Sequence, residues 1–221
     1  MRFTALLFDL DGVLVDTAKY HYIAWKALAE ELGIPFTLQD NERLKGVSRQ
    51  RSLDIVLEIG GVDKSPEERE ALCTEKNQRY LSYIRKMEPE EILPGVRDFL
   101  TEARRQGYKI ALGSASKNAR LILDRLELTG LFDAIVDGYM VTQAKPDPEV
   151  FALGGRLLGA QPGQCLVFED SVAGIQAAHA GGMTAVGIGT REDLPEADLV
   201  LPGFAGVTME EIENKLLAVG F

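Results

Sequence analysis

Two aspartates separated by one residue are the clearest chemical feature of the sequence. Asp9 and Asp11 lie in Asp9-Leu10-Asp11-Gly12, directly after the apolar run of residues 3–8. In an extended segment, residues two apart point to the same side, so both carboxylates should face one cleft. Such close carboxylates repel each other unless a cation lies between them or one is protonated. Asp-Gly also occurs in plain turns, but two acids after a buried strand favour catalysis, one attacking phosphorus and the other carrying a proton.

Three further polar segments each follow an apolar run. The first offers hydroxyl and amide groups that suit a phosphate, although a serine at this position is also a common helix cap. The second carries a lysine that could neutralise a phosphate, although a lone lysine is more often solvated. The third carries acids that could complete an oxygen-ligand Mg²⁺ site. The three segments are Gly113–Asn118, Lys145–Pro148 and Glu169–Ser171.

Apolar runs alternate with helical patterns over most of the chain. This alternation predicts an α/β fold with a doubly wound, Rossmann-like parallel sheet. All four polar segments then lie at the carboxyl ends of strands, where ligands bind in such sheets. The predicted strands are residues 3–8, Tyr108–Leu112, Ala134–Val136, Cys165–Phe168, Thr184–Ile188 and Asp198–Leu201, and the helices between the later ones are Val96–Gln106, Asn118–Leu126, Pro148–Leu158 and Val172–Ala180.

A block of successive helical patterns interrupts the alternation after the first strand. We expect an inserted α-helical domain at residues 16–91, with residues 1–15 and 92–221 forming the α/β core. Pro66 with two following glutamates suits a helix start. The predicted helices of the block are Tyr20–Leu32, Gln39–Lys45, Arg51–Ile59 and Pro66–Met87.

Composition narrows the classes of function. The 221 residues include 24 Lys and Arg against 34 Asp and Glu, a net charge of −10. This excess of negative charge argues against general binding of nucleic acid or of an anionic membrane. The first residues contain too short an apolar run for a signal peptide, and no run is long enough to span a bilayer. We expect a cytoplasmic protein, monomeric by default, whose two cysteines are reduced.

The four polar segments resemble, in order, the four motifs of the haloacid dehalogenase superfamily of phosphotransferases, and the inserted block resembles its small helical cap. The motif residues are Asp9-Leu10-Asp11-Gly12-Val13, Ser114, Lys145-Pro146 and Glu169-Asp170. Similarity to the sugar phosphomutases of this superfamily covers nearly the whole chain and is weakest at residues 60–75 and after Gly203. It includes Thr17, Tyr20-His21, residues 24–31 and 44–49, Ser52-Leu53, Lys76-Asn77, residues 114–118, Ser171 and residues 173–176.

The resemblance implies a role for each matching residue. Asp9 would form an aspartyl phosphate, and Asp11 would be the general acid and base. One Mg²⁺ ion would be bound by Asp9, Glu169, Asp170 and the backbone carbonyl of Asp11. The transferring phosphoryl group would be held by Ser114, Ala115 and Lys145. The distal phosphate would be held by Arg49, Ser116, Lys117 and Asn118. The sugar side would be lined by His21, Lys45, Gly46, Ser52 and Lys76, with Thr17 at the hinge.

The expected activity is therefore that of a sugar phosphomutase. It would interconvert β-D-glucose 1-phosphate and glucose 6-phosphate, with β-glucose 1,6-bisphosphate as activator and intermediate. A phosphatase of the same superfamily, acting on sugar phosphates, is the main alternative. A non-catalytic phosphosugar-binding module is less favoured, because it needs no acid/base pair. Hydrolytic dehalogenation is less favoured too, because that reaction needs no Mg²⁺.

Overall fold

The computed structural model of the protein describes residues 2–44 and 47–220. The chain forms two compact units, one from Thr17 to Met87 and the other from the residues up to Asp16 and from Glu88 onward. The helical unit is thus shorter at both ends than the expected 16–91. The two segments of the α/β unit that precede and follow the helical unit are hydrogen-bonded to each other, since the Leu93 amide donates to the Leu14 carbonyl over 2.9 Å.

The α/β unit is built on a parallel sheet, which confirms the predicted fold class. Within the described residues the sheet has six strands in the order β3-β2-β1-β4-β5-β6. The first strand lies between the second and the fourth and is buried along its whole length, as its continuous apolar sequence requires. The strands are β1 (Ala5–Phe8), β2 (Lys109–Gly113), β3 (Ala134–Val136), β4 (Cys165–Glu169), β5 (Thr184–Ile188) and β6 (Leu199–Leu201).

The helical unit packs around a small apolar core that includes Trp25, Leu28 and Leu53. Its third helix begins two residues earlier than predicted, because the Ser48 hydroxyl accepts a hydrogen bond from the Arg51 amide and caps the helix there. The second helix ends before the predicted Lys45. The helices are α1 (Ala18–Glu31), α2 (Leu38–Glu42), α3 (Arg49–Gly60) and α4 (Pro66–Ile84).

Five helices of the α/β unit, counted over the described residues, cover the sheet. Aromatic rings fill one layer between helix and sheet, where Phe8 stacks on Phe168 with ring centroids 4.6 Å apart and Phe99 packs edge-on against both. Along the described chain, no helix has both the length and the apolar character needed to cross a membrane. The helices are α5 (Val96–Arg105), α6 (Ala119–Arg125), α7 (Glu149–Leu158), α8 (Val172–Ala180) and α9 (Met209–Ala218).

Candidate active site

The sheet brings the first and fourth motifs side by side. Asp9 directly follows β1, and its amide donates to the carbonyl of Phe168 over 3.0 Å. This bond extends the ladder between β1 and β4 past the last residue of β1. Asp9 is therefore held beside Glu169, the last residue of β4, and beside Asp170.

Three carboxylates gather at this edge of the sheet. Asp9, Glu169 and Asp170 each offer an oxygen atom within 4.8 Å of the others. Burial raises the pKa of Asp9 to about 7. The charge of Lys145 acts in the opposite direction, and the charges of Glu169 and Asp11 raise this pKa further. Burial and the neighbouring carboxylates raise the pKa of Asp170 to about 8. Crowded, partly protonated oxygen ligands of this kind suit a hard divalent cation such as Mg²⁺.

Asp11 contributes charge to this cluster but no ligand oxygen from its side chain, as far as the described residues show. The charge of Asp11 helps to raise the pKa of both Asp9 and Asp170. The metal contact through the Asp11 carbonyl and the proton-transfer role of its carboxylate remain predictions.

Lys145 is an integral part of the cluster and not a solvated surface lysine. Its Nζ atom lies 2.5 Å from an oxygen of Asp9 and 2.5 Å from an oxygen of Glu169, and 8% of its side chain is exposed. Burial alone would lower the pKa of Lys145, but the two carboxylates outweigh it and raise that pKa above its ordinary value. The ring of Phe151 lies 4.7 Å from the same Nζ atom. The ammonium group is therefore charged and directed at the carboxylates of Asp9 and Glu169.

Glu169 is fixed from its other side by the start of α8. Its second oxygen accepts hydrogen bonds from the Ser171 amide at 2.7 Å and the Ser171 hydroxyl at 2.9 Å. The same hydroxyl caps α8 by accepting from the Gly174 amide. A Cβ atom on residue 174 would overlap the Glu169 carboxyl group, so glycine is required for this close approach. Glu169 thus orients Lys145 as well as contributing a possible metal ligand.

The segment after β2 is folded on itself. Ser114 is buried, and its hydroxyl accepts from the Ser116 amide at 3.1 Å, while the Ser116 hydroxyl accepts from the Asn118 amide at 3.2 Å. Ala115 and Lys117 are exposed, and the Lys117 Nζ atom lies 5.4 Å from the ring centre of Tyr139. The predicted phosphate-binding groups therefore share one short loop.

Sequence reasoning missed Asp137, the residue that follows β3. Asp137 is buried and accepts from Arg120 Nε at 2.7 Å and from the Tyr139 amide at 3.0 Å. The adjacent Gly138 amide donates to the Ser116 carbonyl, so this turn braces the segment after β2. The signal was present, because Asp137 is an acid directly after a predicted strand, the same pattern that identified Asp9.

The helical unit contains a buried cationic cluster. The Lys76 Nζ atom lies 2.7 Å from His21 Nδ1, with the rings of Trp25 and Tyr80 at 4.8 and 4.9 Å. Burial, together with the charges of Lys76 and Arg49, lowers the pKa of His21 well below its ordinary value. His21 is therefore neutral and holds the Lys76 ammonium. Trp25 belongs to the apolar core of the helical unit, and its ring also faces this charge.

Two neighbouring arginines that look alike in sequence differ in the structure. Arg49 begins α3 and donates to Asn77 Oδ1 on α4 at 2.8 Å, whereas Arg51 pairs with Glu58 at 2.8 Å and is 53% exposed. Ser52 is buried one turn after Arg49. Thr17 is buried directly before α1. The predicted residues Lys45 and Gly46 lie outside the described residues.

The chain is similar over most of its length to known enzymes named for sugar phosphates. The family model of haloacid dehalogenase-like hydrolases matches residues 3–182. A β-phosphoglucomutase of Bacillus subtilis is 42% identical over 213 residues, 96% of this chain and 94% of that protein. A crystal structure of a β-phosphoglucomutase from Clostridium difficile superposes with a TM-score of 0.92 at 40% identity and covers 98% of both chains. A fructose-1-phosphate phosphatase of Escherichia coli is 35% identical over 85% of this chain and 97% of its own.

Proposed function

The chain belongs to the haloacid dehalogenase-like hydrolase family, and we propose that it is a β-phosphoglucomutase interconverting β-D-glucose 1-phosphate and glucose 6-phosphate. One observation carries the proposal. The ion-paired group of Asp9, Glu169 and Lys145 stands at the carboxyl edge of the sheet in a chain that is 42% identical, over 96% of its length, to a β-phosphoglucomutase.

The carboxylate cluster is suited to one Mg²⁺ ion. The side chains of Asp9, Glu169 and Asp170, with the carbonyl of Asp11, would hold it, since all are the hard oxygen donors that this ion prefers. The pKa values of Asp9 and Asp170 are raised first by burial and then by repulsion among the carboxylates, and a bound cation would offset both effects. When bound, the ion neutralises charge on the transferring phosphoryl oxygens.

Asp9 and Asp11 divide the phosphoryl-transfer chemistry between them. A carboxylate oxygen of Asp9 attacks phosphorus and forms an aspartyl phosphate, while the bond from phosphorus to the sugar oxygen breaks. Asp11 donates the proton that the departing sugar oxygen takes up. In the reverse direction Asp11 accepts the proton of the attacking sugar hydroxyl. Lys145 and the loop at Ser114 hold the phosphoryl oxygens during each transfer.

A mutase must also bind a phosphate that does not react, because its intermediate, β-glucose 1,6-bisphosphate, carries two. Arg49 suits this role, since its guanidinium group binds phosphate in a bidentate manner and Asn77 fixes its direction. Ser116, Lys117 and Asn118 are assigned to the same phosphate, and His21, Ser52 and Lys76 to the sugar. A monomer in the cytoplasm, with a small phosphosugar as its partner, completes the proposal.

The product of the reaction tests this function. The purified protein is incubated with β-glucose 1-phosphate, Mg²⁺ and a trace of the bisphosphate, and both glucose 6-phosphate and free phosphate are measured. The proposal expects glucose 6-phosphate, which Asp9→Asn abolishes.

Free phosphate without glucose 6-phosphate would instead establish a sugar-phosphate phosphatase. The similarity to the Escherichia coli phosphatase makes this the second candidate. Ligand affinity with no turnover of any phosphate ester in the unaltered protein would establish a non-catalytic binding module.

A further inference from the structure

Lys145 is delivered to the site by a segment that has neither strand nor helix structure. Between β3 and α7 the described backbone consists of turns and irregular structure, and residues 142–144 are exposed. Little apolar packing therefore fixes the path of this segment. Yet the ammonium group of Lys145 must stay within hydrogen-bond distance of both Asp9 and Glu169.

A carboxylate at the start of α7 fastens the first half of this segment. One oxygen of Glu149 accepts hydrogen bonds from the Thr142 amide at 2.8 Å and the Gln143 amide at 2.6 Å. The Thr142 hydroxyl lies 3.3 and 3.2 Å from the two oxygens of the same carboxylate. These amide bonds lower the pKa of Glu149, so the group is ionised and the bonds are charge-assisted.

The second half of the segment is closed by short-range bonds. The Asp147 amide donates to the Ala144 carbonyl at 3.0 Å, and the Glu149 amide donates to the Asp147 carboxylate at 2.9 Å. Lys145 thus lies inside a small hydrogen-bonded ring whose two sides meet at Glu149. Two residues further along α7, the ring of Phe151 lies against the Lys145 ammonium.

We propose that Glu149 is a positioning residue that clamps the 142–148 segment so that Lys145 is aimed at the phosphoryl group on Asp9. Glu149 acts through the backbone of Thr142 and Gln143. This inference rests on the proposed phosphoryl transfer at Asp9 but does not depend on the identity of the sugar. Displacement of a catalytic group by about 1 Å costs up to about a hundredfold in rate, so loss of the clamp should appear mainly in kcat.

The test compares three single variants of the full-length protein. Glu149→Ala removes the acceptor of both amides. Glu149→Gln keeps one oxygen that can accept from both amides and so is the conservative rescue. Glu211→Ala is the matched control, because Glu211 accepts from the Thr208 amide at 3.1 Å at the start of α9, which is a comparable capping role at a residue not assigned to the site. Each variant is assayed for kcat, for the Mg²⁺ concentration giving half-maximal rate, and for its melting temperature.

Glu149→Ala is expected to lower kcat by about tenfold or more without raising the Mg²⁺ requirement, because Asp9, Glu169 and Asp170 lie outside the clamped segment. Glu149→Gln should keep kcat within about threefold of the unaltered protein. Glu211→Ala should lower the melting temperature by about as much as Glu149→Ala does, with kcat unchanged.

Two results overturn the inference. The first is a kcat for Glu149→Ala that matches the control. The second is a fall in kcat accompanied by an equal rise in the Mg²⁺ requirement, which indicates general loosening of the site. Failure of the proposed function is separate, since it appears in the unaltered protein as a missing glucose 6-phosphate product. The clamp is then measured on whichever phosphate ester that protein hydrolyses.

Discussion

Binding of Mg²⁺ should release protons, because two of the carboxylates assigned to the ion have raised pKa values. With the pKa of Asp9 at about 7 and that of Asp170 at about 8, the metal-free pair together holds about one proton at pH 7.5. A bound cation requires both groups to be ionised. We therefore expect about one proton to be released per ion at pH 7.5, and the affinity for Mg²⁺ to be about a thousandfold weaker at pH 6 than at pH 9.

Calorimetry in buffers of different ionisation enthalpy measures this release directly. The observed heat of Mg²⁺ binding should vary with the buffer at pH 7.5 and lose most of that variation at pH 9. Asp170→Asn removes the group with the higher pKa and part of the repulsion on Asp9, so the release should fall below about 0.3 proton. Heats that do not depend on the buffer, together with an affinity that stays constant from pH 6 to pH 9, would refute the reasoning.

Three other predictions concern the anion site, the glycine at α8 and the metal-free fold. Arg49→Ala should reduce mutase flux by at least about tenfold more than it reduces hydrolysis of a simple aryl phosphate. The control variant Arg51→Ala should change both rates by less than about twofold. Equal losses of the two activities in Arg49→Ala would show that Arg49 does not bind the distal phosphate. Gly174→Ala should lower the free energy of unfolding by about 1–3 kcal/mol and also lower kcat, because its Cβ displaces the Glu169 carboxylate; denaturant titration beside the mutase assay checks both. Metal-free protein should lose stability as the pH rises from about 4 to about 8, because Asp9 and Asp170 bind protons more tightly in the native than in the unfolded state. Urea titration measures this stability. A stability that rises over this pH range would contradict the raised pKa values.

Local sequence patterns were sufficient for the fold class and for the order of the chemical motifs. A continuous run of apolar residues indicates a strand that is buried on both faces. Acids that follow such a run therefore lie at the carboxyl end of a strand. The same rule would have found Asp137, had it been applied after β3. Helix starts were less well predicted. A single side-chain hydrogen bond, such as the one that Ser48 accepts from the Arg51 amide, can begin a helix before its apolar pattern starts.

The sequence by itself determined that Asp9 and Asp11 follow a buried strand of a parallel sheet, since the spacing of apolar residues and the polarity of the residues after them can be read from neighbouring positions. Only the tertiary structure decided which side chains the cationic groups contact. Lys145 meets Asp9 across 136 residues of sequence, and Arg49 meets Asn77 across 28. Contacts between segments so far apart depend on how helices and strands pack, and the charge of Lys145 or Arg49 alone does not distinguish either residue from an ordinary solvated cation.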